Sequence, residues 1–146
     1  MPSIDDFKCN KCELSFPTGW GGYMYVIDDS GKRIHCLHPA KDHFVDAVLG
    51  KNASKELIEA RTGFNSHCIC QSCLKQFELD IGDDEKADSW RYYYAGTGRG
   101  CIIRRDERKC PYCNSHDVKT VLELVGQTCP KCKEGTIEKI WTGDIT

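Results

Sequence analysis

The sequence predicts a small α+β fold made mostly of β-hairpins, with a short helical insert and an unusually large share of cysteine. The chain has 146 residues, which suffices for one domain or a few very small ones. Leu, Ile, Val and Phe make up only about a fifth of the residues, at the lower limit for a compact core. Because eleven residues are cysteines, we expect sulfur chemistry to supply the stability that so small a core lacks.

The charge balance excludes a generally basic, histone-like binder of nucleic acid. Lys and Arg number 20 and Asp and Glu number 22, so any contact with a polyanion must use a local patch. No apolar stretch approaches the ~18 residues that a membrane span needs, and the first residues form no apolar leader. We therefore expect no membrane contact and a cytoplasmic, reducing location.

Four Cys-x-x-Cys pairs are the most specific motif. Two intervening residues allow a tight turn, here called a knuckle, in which both sulfurs reach one ion at ~2.3 Å. Two knuckles together complete a tetrahedron, so the sequence predicts a metal-stapled fold with two, or at most three, zinc ions. The candidate ligands are the eight cysteines of these pairs: Cys9, Cys12, Cys70, Cys73, Cys110, Cys113, Cys129 and Cys132.

Disulfides and thioredoxin-like redox chemistry are the alternatives to metal. A disulfide scaffold requires an oxidising compartment, and an odd number of cysteines would leave one thiol over. A redox motif is typically a single Cys-x-x-Cys beside a βαβ unit, whereas this chain has four. Zinc would contribute ~10–16 kcal/mol of binding free energy to folding, more than a core of this size supplies.

The first segment, residues 1–38, is predicted to contain a knuckle followed by a hairpin. Residues 22–27 are β-branched and aromatic, 28–31 form a turn cluster, and the return strand leads to Cys36. Cys36 and His38 could supply two further ligands. The alternatives are a buried apolar role for Cys36 and a surface role for His38.

The second segment, residues 39–65, is predicted to be a helical insert. Phe44, Val45, Val48 and Leu49 fall at helical spacing, and Gly50 ends that helix. Asn52 or Ser54 can cap a second short helix.

The third segment, residues 66–146, holds three knuckles separated by short strands. We expect strands through 77–79, 90–94 and 102–103, and one strand or a bent hairpin over 118–125.

The four knuckles and their flanking strands resemble zinc-ribbon, rubredoxin-like proteins. The most similar stretch is 70–121, where Cys-x-x-Cys-x-x-x-Phe and Cys-Pro-x-Cys-Asn-Ser-x-Asp-Val-Lys resemble small regulatory ribbons of the FmdB type. The resemblance implies multiple zinc ribbons, with metal bound between β-hairpins. It implies no particular function, because ribbons serve many machines and enzymes.

Two schemes for sharing the ions remain open. In the first, 9/12 joins 70/73, and 110/113 joins 129/132; we favour it because it uses all eight cysteines. In the second, 9/12 joins Cys36 and His38, and 70/73 joins 110/113. The knuckle at 129/132 then needs Cys68, Cys101 or a second chain.

A local basic stretch at 99–109 suggests single-stranded nucleic acid as a partner. Arginine on phosphates and aromatic rings under bases are the usual contacts in such complexes. The candidate residues are Arg99, Arg104, Arg105, Arg108, Tyr92 and Tyr94. The alternative is that the tyrosines belong to the core and the arginines form a solvated face.

Three functions follow as hypotheses. The first is a non-enzymatic zinc-ribbon protein that binds nucleic acid or a ribonucleoprotein machine, since no His-x-Glu, His-Glu-x-x-His or Gly-x-Ser-x-Gly motif is present. The second is an adaptor or accessory subunit of a metabolic or redox enzyme, docking through Trp20 and the 39–65 helices. The third is a rubredoxin-like electron carrier with iron held by four thiolates.

Overall fold

The computed structural model describes residues 3–37, 41–81 and 104–144. Within these ranges the chain is mostly β-sheet, with three short helices. The strands are β1 (Ser3–Cys9), β2 (Ser15–Gly19), β3 (Gly22–Ile27), β4 (Arg33–His35), β5 (Thr62–Cys70), β6 (Gln76–Leu79), β7 (Val118–Thr120) and β8 (Ile137–Asp144). The helices are α1 (Lys41–Leu49), α2 (Lys55–Arg61) and α3 (Val121–Leu124).

One sheet joins distant parts of the sequence. Its strand order is β2-β1-β8, and both pairings are antiparallel. β1 and β2 form a local hairpin, whereas β8 follows more than a hundred residues later. The register places Cys9 opposite Ile137 and Phe7 opposite Lys139. The end of β1 and the start of β8 therefore lie next to each other.

The other sheet contains two further hairpins. Its path is β4-β3-β5-β6, and β7 also pairs with β5. In the β5–β6 hairpin Cys68 lies opposite Phe77, so the turn between the strands contains the knuckle at 70–73. β7 runs antiparallel to β5, with Cys70 opposite Val118.

The chain divides into two compact units that are discontinuous in sequence. Unit 1 comprises Met1–Gly22, Ser66–Leu79 and Asp106–Thr146, and unit 2 comprises Tyr23–Asn65 and Asp80–Arg105. This division differs from the three consecutive segments drawn from the sequence, because strand pairing joins residues far apart along the chain.

Each unit has its own apolar core. The core of unit 1 is formed by buried side chains from strands, knuckles and α3, including Phe7, Phe16, Ile69, Val121 and Ile137. The core of unit 2 lies between β3, β5 and the two longer helices, and includes Met24, Val26, Cys36, Val45, Ile58 and Phe64.

The local sequence signals correctly predict strand β3, the two helices of the 39–65 insert and strand β6. Ser54 caps α2, and its Oγ accepts a hydrogen bond from the backbone N–H of Leu57 at 3.1 Å. The predicted strands at 90–94 and 102–103 lie outside the described residues.

The prediction of one strand or hairpin over 118–125 is wrong. The strand ends at Thr120, whose side chain accepts from the N–H of Glu123 while the Glu123 carboxylate accepts from the N–H of Thr120. This reciprocal capping box starts helix α3 inside an apolar run.

None of the helices in the described ranges is long and apolar enough to cross a membrane.

Candidate metal centres

Eight cysteines form two groups of four in unit 1. Cluster 1 is defined as Cys9, Cys12, Cys129 and Cys132, and cluster 2 as Cys70, Cys73, Cys110 and Cys113. Within each cluster all four sulfurs lie within 4.8 Å of one another. Each cluster could therefore hold one metal ion.

Cluster 1 is built by the pairing of β1 with β8. The first knuckle begins at the last residue of β1, and the 129–132 knuckle precedes β8. The N–H of Asn10 bonds to the carbonyl of Thr136 at 3.1 Å, which joins the two knuckle regions. The sulfurs of Cys9 and Cys132 are 3.7 Å apart, and those of Cys12 and Cys129 are 3.6 Å apart.

Cluster 2 is built around strand β5. The 70–73 knuckle follows β5, and the 110–113 knuckle precedes β7, which pairs with β5. The sulfurs of Cys70 and Cys113 are 3.5 Å apart, and those of Cys73 and Cys110 are 3.7 Å apart.

These separations fit a tetrahedral metal site. Four sulfurs at ~2.3 Å from one ion lie about 3.8 Å from each other, whereas a disulfide bond is about 2.05 Å long. The cysteines of both clusters are free thiols. A set of four thiolates suits zinc or iron, and it fills every position of the tetrahedron.

Backbone N–H groups surround the sulfurs. In knuckle 9–12 the N–H groups of Lys11 and Cys12 point at Cys9 Sγ, at 3.3 and 3.4 Å. In knuckle 110–113 the N–H groups of Tyr112 and Cys113 point at Cys110 Sγ, both at 3.4 Å. Such donors favour the thiolate form, which is the form that binds metal.

Three of the knuckles end with a residue in the left-handed backbone conformation. Leu74, Asn114 and Lys133 each have φ of 64°, and each directly follows the second cysteine of its pair. Their N–H groups bond to the carbonyl of the first cysteine, at 2.8 to 3.0 Å. This turn returns the chain so that both sulfurs face the same point.

Within cluster 2 the pKa values of the thiols diverge. Although burial opposes it, the N–H groups of Cys73 and Ser72 lower the pKa of Cys70 to about 6. Although the N–H of Ser115 acts the other way, the neighbouring Cys70 sulfur and burial raise the pKa of Cys113 to about 12.

The same divergence occurs in cluster 1. The N–H groups of Glu134 and Gly135 lower the pKa of Cys132 to about 6. The N–H of Leu14 favours the Cys12 thiolate, but burial and the adjacent sulfurs raise the pKa of Cys12 to about 11. Four thiolates this close repel one another, so a divalent cation is the partner that lets all four ionise.

The scheme that joins 9/12 with 70/73, and 110/113 with 129/132, is wrong. The second scheme is right that 70/73 joins 110/113, but wrong about 9/12, which lies with 129/132. Counting ligands did not identify the pairing, because the observed clusters also use all eight cysteines. The long ladder between β1 and β8 is what brings 9/12 to 129/132.

Of the two additional ligand candidates, Cys36 is described by the structure and lies outside both clusters. Cys36 is 3% exposed in the core of unit 2, where its thiol faces the carbonyl of Ile34 at 3.7 Å. His38 and Cys101 lie outside the described residues. Cys68 is buried, and its thiol donates to the carbonyl of Ser66 at 3.2 Å. The described residues contain no third group of metal-ligating side chains, so nothing there holds a third ion.

Two arginines of the basic stretch are engaged within the fold. The guanidinium of Arg105 donates to the carbonyls of Glu59 and Thr62 at the end of α2, at 2.9 and 2.8 Å. Arg108 donates to the carbonyl of Val118 at 2.9 Å and pairs with Glu123 at 2.7 Å.

The structure describes two of the remaining candidates of the nucleic-acid and adaptor hypotheses, Arg104 and Trp20. Arg104 is exposed, whereas Arg99, Tyr92 and Tyr94 lie outside the described residues. Trp20 is only partly exposed, and its indole nitrogen is buried.

The sequence reasoning missed Gly135, which cluster 1 requires. Its N–H points at Cys132 Sγ at 3.3 Å, and a Cβ at this position would overlap Cys9 Sγ. The sequence offered one signal, a glycine three residues after the second cysteine of a knuckle. The structure gives its reason, because no side chain fits there between the two halves of the cluster.

A scan against protein-family models found no match to this chain, and neither did searches of curated proteins and of solved structures.

Proposed function

We propose that the chain is a non-enzymatic, zinc-ribbon-type binding module whose fold depends on two structural zinc ions. The observation that carries the proposal is the set of four sulfurs in each cluster, spaced at 3.5 to 3.7 Å across the paired knuckles. A catalytic zinc keeps one position open for water or substrate. Four cysteine ligands leave no such position, so the ions would hold the chain together.

Metal content is tested by native mass spectrometry of the purified chain. We expect two zinc ions per chain, and we expect a strong chelator to remove them with loss of the β-sheet circular dichroism signal. Retention of that signal after complete removal of metal would overturn the structural role.

Iron in place of zinc is the rubredoxin-like alternative. The four-thiolate sets fit either ion, and the two are separated by colour, because ferric thiolate sites absorb visible light and zinc sites do not. A colourless protein with stoichiometric zinc supports the binding module. A red protein with stoichiometric iron supports the electron carrier.

Single-stranded nucleic acid is the partner that we propose. The support comes from the knuckles of cluster 2, where Tyr112 is 59% exposed and the Lys75 ammonium lies 4.6 Å from the centre of its ring. An exposed ring and a cation are the two groups that bind a base and its phosphate. Arg104 is exposed in unit 2, whereas Arg105 and Arg108 are engaged within the fold.

Binding is tested by fluorescence anisotropy with labelled single-stranded RNA and DNA. We expect binding at 50 mM salt that weakens steeply at 200 mM, since neutralised phosphates release counterions. Absence of binding to both polymers at low salt would overturn this partner class.

An adaptor function is the second candidate, and an exposed apolar pair favours it. Ile140 and Trp141 are 37% and 62% exposed on β8, which lies at the end of the β2-β1-β8 order. Capture of one defined protein that depends on Trp141 but not on Tyr112 would favour this candidate over nucleic acid.

A further inference from the structure

A groove of about 390 Å³ lies beside cluster 2 in unit 1. It is lined by side chains of β2, β5, β6 and the 110–113 knuckle, including Pro17, His67, Gln76, Phe77, Glu78 and Tyr112. Its volume is at the lower end of the ~300–1,000 Å³ of small-ligand sites. It therefore has room for one small planar group and its substituents.

One wall of the groove is aromatic, and a cation lies over one of its two rings. The rings of Phe77 and Tyr112 have centres 6.1 Å apart, with their planes inclined at 53°. The Lys75 ammonium lies 4.6 Å from the centre of the Tyr112 ring. Because Lys75 itself does not line the groove, a flat ligand in the groove can stack on the part of Tyr112 that Lys75 leaves open, with an attached anion reaching toward this ammonium.

Another part of the groove is polar and carries an acceptor. His67 and Glu78 are opposite each other in the β5–β6 ladder, and His67 Nδ1 lies 3.7 Å from Glu78 Oε1. The Glu78 side chain is 44% exposed, so its carboxylate is accessible from the groove. A carboxylate repels phosphate but accepts hydrogen bonds from an amino group.

The aromatic wall is held in place by the backbone of cluster 2. The N–H of Tyr112 points at Cys110 Sγ, and the N–H of Cys110 bonds to the carbonyl of Ser115 at 2.8 Å. Phe77 lies on a strand paired with β5. The backbone that carries the two rings is thus held by secondary structure and by the thiolate site, which limits the backbone entropy lost on binding.

We propose that this groove binds one unpaired nucleotide of a single-stranded nucleic acid, with its base stacked on Tyr112 and its phosphate near Lys75. The charges match this occupant, because a cation lies over the Tyr112 ring and a carboxylate that accepts hydrogen bonds from amino groups lines the groove. Glu78 should then favour cytosine, which has an amino group, over thymine, which has none. The assignment rests on the proposed nucleic-acid function and names the site through which it acts.

The test is anisotropy with labelled ten-residue oligo(dC) and oligo(dT) at 50 mM salt. We expect Tyr112→Ala to weaken binding about 5- to 150-fold, the range for loss of one stacked base. Tyr112→Phe should retain most of the affinity, because the stacking ring remains. Trp141→Ala is the matched control, an exposed aromatic on another sheet, and should leave the affinity unchanged.

Two further variants test the polar groups. Lys75→Ala should weaken binding and lower the salt slope by about one, as expected for one phosphate contact. Glu78→Gln should reduce the preference for oligo(dC) over oligo(dT). Native mass spectrometry of each variant, with two metal ions retained, shows that the fold is intact.

The possible outcomes distinguish a failure of the proposed site from a failure of the proposed function. If the unaltered chain binds neither oligonucleotide, the proposed function fails. If it binds both and Tyr112→Ala binds equally well, the function stands and this site is overturned. Displacement of the oligonucleotide by cytidine monophosphate at equal nucleotide concentration would overturn the assignment to a strand, in favour of a free nucleotide.

Discussion

Cys9 Sγ and Cys132 Sγ lie 3.7 Å apart although the two residues are separated by 123 positions in the sequence. The β1–β8 ladder produces this proximity by placing Cys9 opposite Ile137. An ion at cluster 1 would therefore join the two knuckles of unit 1 that are farthest apart in the sequence, whereas an ion at cluster 2 would join the knuckle at the end of β5 to the knuckle that precedes β7.

Loss of one ligand should empty one cluster and leave the other filled. We expect Cys132→Ser to bind one ion per chain instead of two, because serine does not replace a thiolate in a four-sulfur site. Native mass spectrometry measures the ion count directly. Cys113→Ser should likewise remove one ion, from cluster 2.

Cys36→Ala is the matched control for these cysteine changes. Cys36 is buried in unit 2, outside both clusters, so the variant should keep two ions while losing some stability. Loss of an ion in Cys36→Ala would contradict the assignment of the ligands.

Gly135→Ala should weaken metal binding at cluster 1. The added methyl group would overlap Cys9 Sγ and lie 2.9 Å from Asn10 Oδ1, which forces the two knuckles apart. Overpacking of this kind costs about 1–3 kcal/mol, and here we expect the cost to appear as faster zinc transfer to a chromogenic chelator.

Gly63→Ala provides a comparison with a similar clash away from both clusters. A Cβ at Gly63 would overlap the Tyr25 hydroxyl and lie 2.5 Å from Asp80 Oδ2, in unit 2. We expect a lower melting temperature with an unchanged rate of zinc transfer. Equal transfer rates for Gly135→Ala and the unaltered chain would contradict the role given to Gly135.

Replacing Arg108 should lower the free energy of unfolding and should not weaken nucleic-acid binding. Its guanidinium makes two hydrogen bonds to the Glu123 carboxylate, at 2.7 and 3.2 Å, and one to the carbonyl of Val118. Since both side chains are partly exposed, we expect a coupling of about 1 kcal/mol in a double-mutant cycle of Arg108→Met and Glu123→Gln. Urea denaturation measures it.

The same variant distinguishes the two interpretations of the basic stretch. If Arg108 served mainly as a phosphate ligand, Arg108→Met would weaken oligonucleotide binding and leave the free energy of unfolding unchanged. We expect the opposite result.

The contribution of Tyr25 to the stability of unit 2 should decline at alkaline pH. Burial and a hydrogen bond to Asp80 raise the pKa of Tyr25 well above its ordinary value of about 10. The folded chain thus holds this proton more tightly than the unfolded chain. Its contribution to stability is complete below pH ~10 and declines as the pH rises from there toward the folded pKa.

The measurement compares urea denaturation of Tyr25→Phe and of the unaltered chain between pH 8 and 10.5. The difference between the two should shrink as the pH rises above ~10, because only the unaltered chain loses the phenol proton on unfolding. Tyr112→Phe, which alters an exposed ring, serves as the control. A difference that stays constant with pH would contradict the prediction.

Local features of the fold were predictable from the sequence. The strand at 22–27 follows from β-branched and aromatic residues, and α2 follows from a serine cap before a helical run. The eight cysteines of the two clusters follow from their spacing alone, because a knuckle is a four-residue feature.

The long-range features were not predictable. The partner of knuckle 9–12 is decided by the ladder between β1 and β8, and neither strand carries a signal for the other. The role of Arg105 depends on where the end of α2 lies, since its guanidinium binds the carbonyls of that helix end. Helix α3 had a local signal, Thr120 and Glu123 at capping-box spacing, but the apolar run around it favoured a strand.

The order in which the knuckles occur has a consequence for synthesis on the ribosome. All four ligands of cluster 2 precede Cys129 in the sequence, so they emerge from the ribosome before the second knuckle of cluster 1 does. Cys9 and Cys12 emerge first but must wait for Cys129 and Cys132, so their two thiols have no partner knuckle until the end of the chain emerges. A nascent chain that has emerged as far as cluster 2 could therefore hold one ion while presenting an open half-site near its first residues.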